Sequence, residues 1–133
     1  MAPWVDPGLG ALAALLGLQR RRMADGEAIL EVTVRPEHLN PYGLVHGAVV
    51  YALVDTAMGG ALVSRLAADE RCATLEVKIQ YLASVSAGGL RAEARLVERT
   101  RRIAVLEARV YGEGDRLVAL ATGTFYVLGA EPR

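Results

Sequence analysis

A long apolar run near the middle of the chain constrains its fold more than any other feature. The run reads HGAVVYALVDTAMGGALVSRL, from His46 to Leu66, and it is rich in Ala and Leu. It is longer than an ordinary strand, so these residue types favour a helix, although the Gly59-Gly60 pair weakens that prediction. Because such a helix would be apolar on nearly all sides, we expect it to be buried. Its single carboxylate, Asp55, is costly to bury unless it is paired or used.

Two β-strands are predicted before this helix. The segment EAILEVTVRP has a period of two, which is typical of a strand buried on one side. Its apolar members are Ala28, Leu30, Val32 and Val34, and its polar members are Glu27, Glu31, Thr33 and Arg35. The residues from Arg20 to Ala24 predict a preceding strand, which turns at Asp25-Gly26.

Further alternating segments predict the strands that follow the helix. TLEVKIQYL sets Leu75, Val77, Ile79 and Tyr81 against Thr74, Glu76, Lys78 and Gln80, and LRAEARLVER places Leu90, Ala92, Ala94 and Leu96 on one face. IAVLEARVY and RLVALATGTFYVL complete the pattern, and the breaks SAGG, RTRR and GEGD suit turns. We therefore predict an α+β fold in which one antiparallel sheet wraps round one apolar helix. The strands that follow the helix are expected to form a meander.

The N-terminal run ALAALLGL predicts a short amphipathic helix. The run is too short to span a bilayer, and its basic residues follow it rather than precede it, so a signal peptide is not expected. Asp6 can cap this helix, Pro7 suits its first position, and Gly17 can end it.

Composition bounds the class of protein. A chain of 133 residues, 53% hydrophobic, fits one domain over residues 1–133. Its formal net charge is zero, so we expect neither a nucleic acid nor a membrane as partner. Cys72 is the single cysteine, which excludes an internal disulfide and fits a reducing, cytoplasmic location. The absence of a Cys/His cluster leads us to expect no metal and no other cofactor.

The central segment carries a motif. His38, Asn40, Gly43, the His46-Gly47 pair and Asp55 stand at spacings that resemble HxNxxGxxHGGxxxxLxDxA, with Leu53 and Ala57 also in register. That motif belongs to the hotdog-fold acyl-CoA thioesterases of the phenylacetate-pathway (PaaI-like) type. The resemblance extends over nearly the whole chain. It implies a long helix wrapped by a five- or six-stranded antiparallel sheet, and an acyl-CoA as substrate.

Two positions depart from this family pattern. Ala48 replaces the second glycine of the HGG triplet, and it is small enough to be tolerated. Ala83-Ser84 stands after Tyr81-Leu82, where the family often has Arg-Pro. The second change bears on how the pantetheine or nucleotide part of CoA is held.

Thioester hydrolysis needs a polarised carbonyl and a delivered nucleophile. A helix N-terminus supplies unpaired N–H groups and partial positive charge, so the N–H of Gly47 is our candidate for the oxyanion hole. The lack of a side chain there lets a thioester oxygen approach; the alternative reason for a glycine is backbone conformation alone. Asp55 is then a general base acting on water or a nucleophile, and the sequence does not choose between these roles.

The spacing of Gly47 and Asp55 predicts a dimer. Eight residues of helix separate them by roughly 12 Å along the axis and about 80° around it, so one chain cannot easily bring both to one carbonyl. A two-fold dimer with antiparallel central helices sets Gly47 of one protomer near Asp55 of the other. The family resemblance implies the same shared site. A tetramer is also plausible, since Val97 and Leu120 are apolar residues that we place on the outer sheet face.

The resemblance extends to further residues. Asn40 corresponds to an asparagine that orients the water or the loop, and Thr74 stands where related enzymes have a hydroxyl near the nucleophile. His46 either contacts the thioester region or locks the loop, and a structural role is favoured. For the CoA phosphates, the best local candidates are Arg99, Arg101 and Arg102 in ERTRR, which are otherwise solvated turn charges.

Two other functions are compatible with the same pattern. One is a non-catalytic protein that binds acyl-CoA, and the other is a hotdog dehydratase acting on hydroxyacyl thioesters, which would pair a histidine with the helix carboxylate. The sequence does not specify the acyl group, although the apolar helix and strands suggest an aliphatic or aromatic one.

Overall fold

In the computed structural model, which describes residues 8–129, one long helix packs against one face of a six-stranded antiparallel sheet. The elements are α1 (Ala11–Leu16), β1 (Gln19–Ala24), β2 (Glu27–Thr33), α2 (Gly47–Val63), β3 (Arg71–Tyr81), β4 (Gly89–Arg99), β5 (Ile103–Tyr111) and β6 (Leu117–Leu128). Short 3-10 turns lie at Pro36–His38 and Glu113–Asp115. This architecture is the predicted hotdog arrangement.

Helix α2 confirms the helical interpretation of the apolar run, with shorter ends. It begins at Gly47, with His46 as its N-cap, and it ends at Val63, three residues before the predicted end. The side chains of Leu53, Val54, Ala57 and Met58 have no exposed surface. They meet the alternating apolar residues of β2, β4, β5 and β6, so one core lies between helix and sheet.

The sheet order is β1-β2-β4-β5-β6-β3. Only β4, β5 and β6 form a meander, so the expectation that all strands after the helix follow one another in the sheet is wrong for β3. Helix α2 carries the chain across the face of the sheet, and β3 therefore pairs with β6 at the far edge. That crossing leaves β2 free to pair directly with β4.

Strand β3 contains a β-bulge that the alternating pattern does not show. Thr74 pairs with Phe125 and Glu76 with Thr124, which leaves Leu75 as the extra residue. Because directly opposed residues share a face, Thr74 lies on the same side of the sheet as the buried Phe125. The predicted faces hold from Val77 onward, but Thr74 faces the helix and Leu75 is 58% exposed.

The N-terminal part of the chain forms a hairpin and a short helix. Asp25 and Gly26 both have positive φ, at 55° and 79°. A two-residue hairpin turn of type I′ requires positive φ at both central residues, so the predicted turn is confirmed. Helix α1 ends at Gly17 as expected, but it begins only at Ala11, with Gly10 at the N-cap position. The proposed cap residues Asp6 and Pro7 lie outside the described residues.

Between residues 8 and 129, the structure has no helix with the length and apolar character needed to span a membrane.

Candidate active site

The N-terminus of α2 presents one free backbone donor. His46 caps the helix, because its Nδ1 accepts a hydrogen bond of 2.9 Å from the N–H of Ala48, and its carbonyl accepts one of 2.9 Å from Val49. The N–H of Gly47 has no acceptor within residues 8–129. A thioester carbonyl oxygen arriving at this positive helix end would therefore find an available donor.

The loop before α2 is held by Asn40. Its side-chain oxygen accepts hydrogen bonds from the N–H groups of Tyr42 and Leu44, at 2.9 and 3.1 Å, and its own N–H donates to the carbonyl of Leu44 at 2.7 Å. These contacts fold the loop into a tight turn. The side-chain nitrogen of Asn40 forms no hydrogen bond to any described residue, so it remains available to a water or a substrate.

His38, the first residue of the motif, anchors the same loop, a role that the sequence did not assign to it. Its side chain is only 1% exposed. Nδ1 accepts from the N–H of Arg35 at 3.0 Å, and Nε2 lies 2.8 Å from the carbonyl of Leu16 at the end of α1. This pattern assigns the neutral ring with its proton on Nε2. The carbonyl of His38 in turn accepts the N–H of His46 at 2.8 Å, so His38 ties α1 to the start of α2.

The side chains of Asp55, in the middle of α2, and Thr74, on β3, contact each other. The Thr74 hydroxyl donates to Oδ1 of Asp55 at 2.7 Å, and the bulge at Leu75 is what turns Thr74 toward the helix. Cys72 lies beside them on β3. Burial, and to a lesser degree the Asp55 carboxylate, raises the pKa of the Cys72 thiol. The three side chains line one groove of about 300 Å³.

Within one chain, the predicted site residues therefore form two separate groups. Asn40, His46 and Gly47 lie at the start of α2, whereas Asp55 and Thr74 lie two turns further along. The helix axis separates Gly47 from Asp55 by roughly 12 Å, so a single small carbonyl group cannot bridge the two groups.

The arginine-rich turn lies elsewhere, next to residues 67–70 in the segment between α2 and β3. Arg99 forms a bidentate ion pair with Glu70, in which Nη1 donates to Oε1 at 3.1 Å and Nη2 donates to Oε2 at 3.0 Å. That pairing, helped by the Ala67 N–H, lowers the pKa of Glu70 to about 2. Arg101 and Arg102 line a surface depression of about 340 Å³, which Asp69 and Glu70 also border.

Tyr81 is a residue beside the candidate site that the sequence pattern missed. It is the last residue of β3, and its hydroxyl donates to the carbonyl of Gly47 at 2.8 Å. The two residues are 34 positions apart, so no local spacing indicates the contact.

A sheet wrapped round one helix places the chain among the hotdog-fold proteins. Comparison with known families narrows the class. The model of the Thioesterase superfamily matches residues 42–119, which is more than half of the chain. The chain thus belongs to the thioesterase superfamily, and it is a thioester hydrolase.

Two solved structures and one further relative agree with this assignment. The chain is 34% identical to a mutant of phenylacetic acid degradation protein PaaI from Thermus thermophilus, with a TM-score of 0.80 over 86% of this chain and 96% of that one. It is 26% identical to a hypothetical thioesterase protein with coenzyme A from Streptococcus pneumoniae, with a TM-score of 0.81 over 92% and 94%. It is 25% identical to the 1,4-dihydroxy-2-naphthoyl-CoA hydrolase of Listeria monocytogenes, over 87% of this chain and 94% of that protein.

Proposed function

We propose that the protein is an acyl-CoA thioesterase, which hydrolyses an aliphatic or aryl acyl-CoA to the free acid and CoA. The observation that carries the proposal is the free N–H of Gly47 at the N-terminus of α2. The names of two relatives support the CoA part, since one hydrolyses a naphthoyl-CoA and the other was solved with coenzyme A.

In the proposed reaction, the Gly47 N–H binds the thioester oxygen as negative charge develops on it. Asp55 acts either as a general base or as a nucleophile. As a base, it takes a proton from water while the water oxygen bonds to the carbonyl carbon; the C–S bond then breaks, and Asp55 returns that proton to the leaving CoA sulfur. As a nucleophile, its oxygen bonds to the carbonyl carbon, the C–S bond breaks and CoA leaves as the thiolate. Water then adds to the resulting anhydride, which releases the free acid, restores the Asp55 carboxylate and supplies the proton that CoA takes up. Thr74 assists by holding one carboxylate oxygen.

The site is shared across a two-fold dimer, so that the carbonyl of each bound thioester lies between Gly47 of one protomer and Asp55 of the other. The axial separation of these residues supports this arrangement. So does the position of β3, an edge strand whose outer side has no partner strand within residues 8–129. Two dimers associate into a tetramer through the outer sheet face, where Val97 is 46% exposed.

The remaining site residues have supporting roles. The free side-chain nitrogen of Asn40 orients the water or the loop, and His46 locks the start of the helix through its cap. Arg101 and Arg102 bind CoA phosphates, while Arg99, already paired with Glu70, holds the turn in shape. The reaction needs no metal or other cofactor, and the protein works in the cytoplasm.

The test measures free-thiol release from a panel of aliphatic and aryl acyl-CoAs. Asp55→Asn removes the base or nucleophile and should abolish turnover while the fold persists. Gly47→Pro removes the donor hydrogen at a helix position that favours proline, after a His46 that is already extended at φ −63° and ψ 136°. We expect it to lower kcat by about a hundredfold or more.

Gly47→Ala is the matched control, since it adds a Cβ but keeps the N–H. It should retain more activity than Gly47→Pro. Equal turnover by the wild type and Asp55→Asn would refute the mechanism, and equal activities of Gly47→Pro and Gly47→Ala would refute the role of the Gly47 N–H.

A further inference from the structure

Tyr81 reaches from the end of β3 to the first residue of α2. Its hydroxyl donates to the Gly47 carbonyl at 2.8 Å, and its Cζ and Oη both lie 3.3 Å from the place where a Cβ on Gly47 would stand. The ring thus packs directly on the glycine α-carbon. Tyr81 also pairs with Ala119 of β6, so the phenol is presented by a sheet strand and not by a loop.

Gly47 needs such an external restraint. Glycine is the residue with the greatest backbone freedom, and a donor that stabilises developing charge acts best when its direction is fixed beforehand. On the N-terminal side, His46 is held by the bond from its N–H to His38 and by its cap on Ala48. On the C-terminal side, the phenol of Tyr81 holds the Gly47 carbonyl.

The same contact explains why residue 47 is a glycine in this chain. Gly47 is not among the glycines with positive φ, so its backbone conformation alone does not require glycine. A Cβ would press on the Tyr81 ring at a distance tighter than most such contacts. The missing side chain therefore makes room for Tyr81.

We infer that Tyr81 is a positioning residue for thioester hydrolysis: its phenol holds the Gly47–Ala48 peptide, which limits rotation about the Gly47 α-carbon and so restrains the direction of the free Gly47 N–H. The inference rests on the proposed function, because it concerns the donor that binds the thioester oxygen. Burial, together with the neighbouring Tyr51, raises the pKa of Tyr81, so the phenol keeps its donor hydrogen at neutral pH.

The test is Tyr81→Phe, which removes only the hydroxyl. Misdirecting a catalytic group by a fraction of an ångström is costly, so we expect kcat to fall roughly tenfold while KM stays within about twofold. Tyr51→Phe is the control, since Tyr51 stands one turn along α2 and its hydroxyl has no hydrogen bond to any described residue. It should keep the kcat of the wild type. The 15N order parameter of the Gly47 amide should also fall in Tyr81→Phe.

An unchanged kcat in Tyr81→Phe would overturn the inference and leave the proposed function intact. A rise in KM alone would overturn it as well, because that result indicates direct contact between Tyr81 and substrate. If the wild type hydrolysed no acyl-CoA, the proposed function would fail, and the order parameter would still decide whether Tyr81 restrains Gly47.

Discussion

Thr74 holds one of the two oxygens of the Asp55 carboxylate. Its hydroxyl occupies Oδ1 at 2.7 Å, whereas Oδ2 has no hydrogen bond from the described part of the chain. A carboxylate held at one oxygen keeps a fixed orientation, and the other oxygen can accept a proton or attack a carbon. Thr74 is thus a positioning residue for Asp55 in the proposed reaction.

Thr74→Val tests this role, because valine has nearly the same shape and lacks the hydroxyl. A hydrogen bond to a charged group contributes about 1.5–3 kcal/mol, so we expect kcat to fall roughly ten- to a hundredfold. Thr74→Ser restores the hydroxyl and should recover most of the activity. If Thr74→Val turned over as fast as the wild type, Asp55 would not depend on this hydrogen bond.

The sequence singled out Gly47 and Asp55 because both belong to one short, local pattern on a helix and its preceding loop. The partners that orient them come from distant positions. Thr74, which the family resemblance indicated but which the alternation placed on the other face of β3, contacts Asp55 only because of a bulge. Tyr81 contacts Gly47 from the end of an edge strand. The contacts of both partners depend on long-range pairing, which residue spacing does not encode.

Helix α2 contains two adjacent glycines with different surroundings. A Cβ on Gly59 would meet only Phe125, at 3.8 Å, which is ordinary contact. A Cβ on Gly60 would lie 3.3 Å from the Cβ of Ala28 on β2. Gly60 thus lets the helix approach the sheet closely, whereas Gly59 has no such packing role.

We expect Gly59→Ala to raise the free energy of unfolding by about 0.5–1 kcal/mol, since alanine is the better helix former. The same gain at Gly60 is offset by crowding against Ala28, so Gly60→Ala should be neutral or destabilising. Urea denaturation at one fixed protein concentration measures both changes. Equal effects of the two substitutions would contradict this account of the packing.

Alternation predicted the strands from β2 to β6, because a half-buried strand imposes a period of two on its apolar residues. The length and the Ala and Leu content of the apolar run predicted α2. These rules missed the following features. The helix ends depend on capping contacts, the place of β3 in the sheet depends on the path of α2, and the extra residue Leu75 interrupts an alternation that otherwise looks regular. The place of β3 and the bulge involve contacts between segments that are distant in the sequence, whereas the helix ends depend on local caps such as that of His46 on Ala48.

In the proposed function, the chain as a whole carries two half-sites, and the dimer completes both. A variant damaged at Gly47 and a variant damaged at Asp55 should therefore complement each other. In a mixed dimer of Gly47→Pro and Asp55→Asn, one site has both defects, while the other combines an intact Gly47 with an intact Asp55.

Unfolding equal amounts of the two variants together and refolding the mixture tests this directly. Random pairing makes half of the dimers mixed, each with one intact site, so we expect about a quarter of the wild-type activity. Each variant refolded alone is the control and should stay inactive. Light scattering checks that a dimer or a larger assembly forms. A mixture no more active than the two controls would show that the site is not shared.

The bulge at Leu75 also affects how related chains should be aligned. Thr74 stands opposite Phe125 only because β3 has one residue more than the stretch of β6 that it pairs with. A homologue whose strand lacks the extra residue needs a one-residue gap at this point. Without the gap, Thr74 is matched with a residue that points away from the helix, and a conserved hydroxyl beside the carboxylate would be scored as lost.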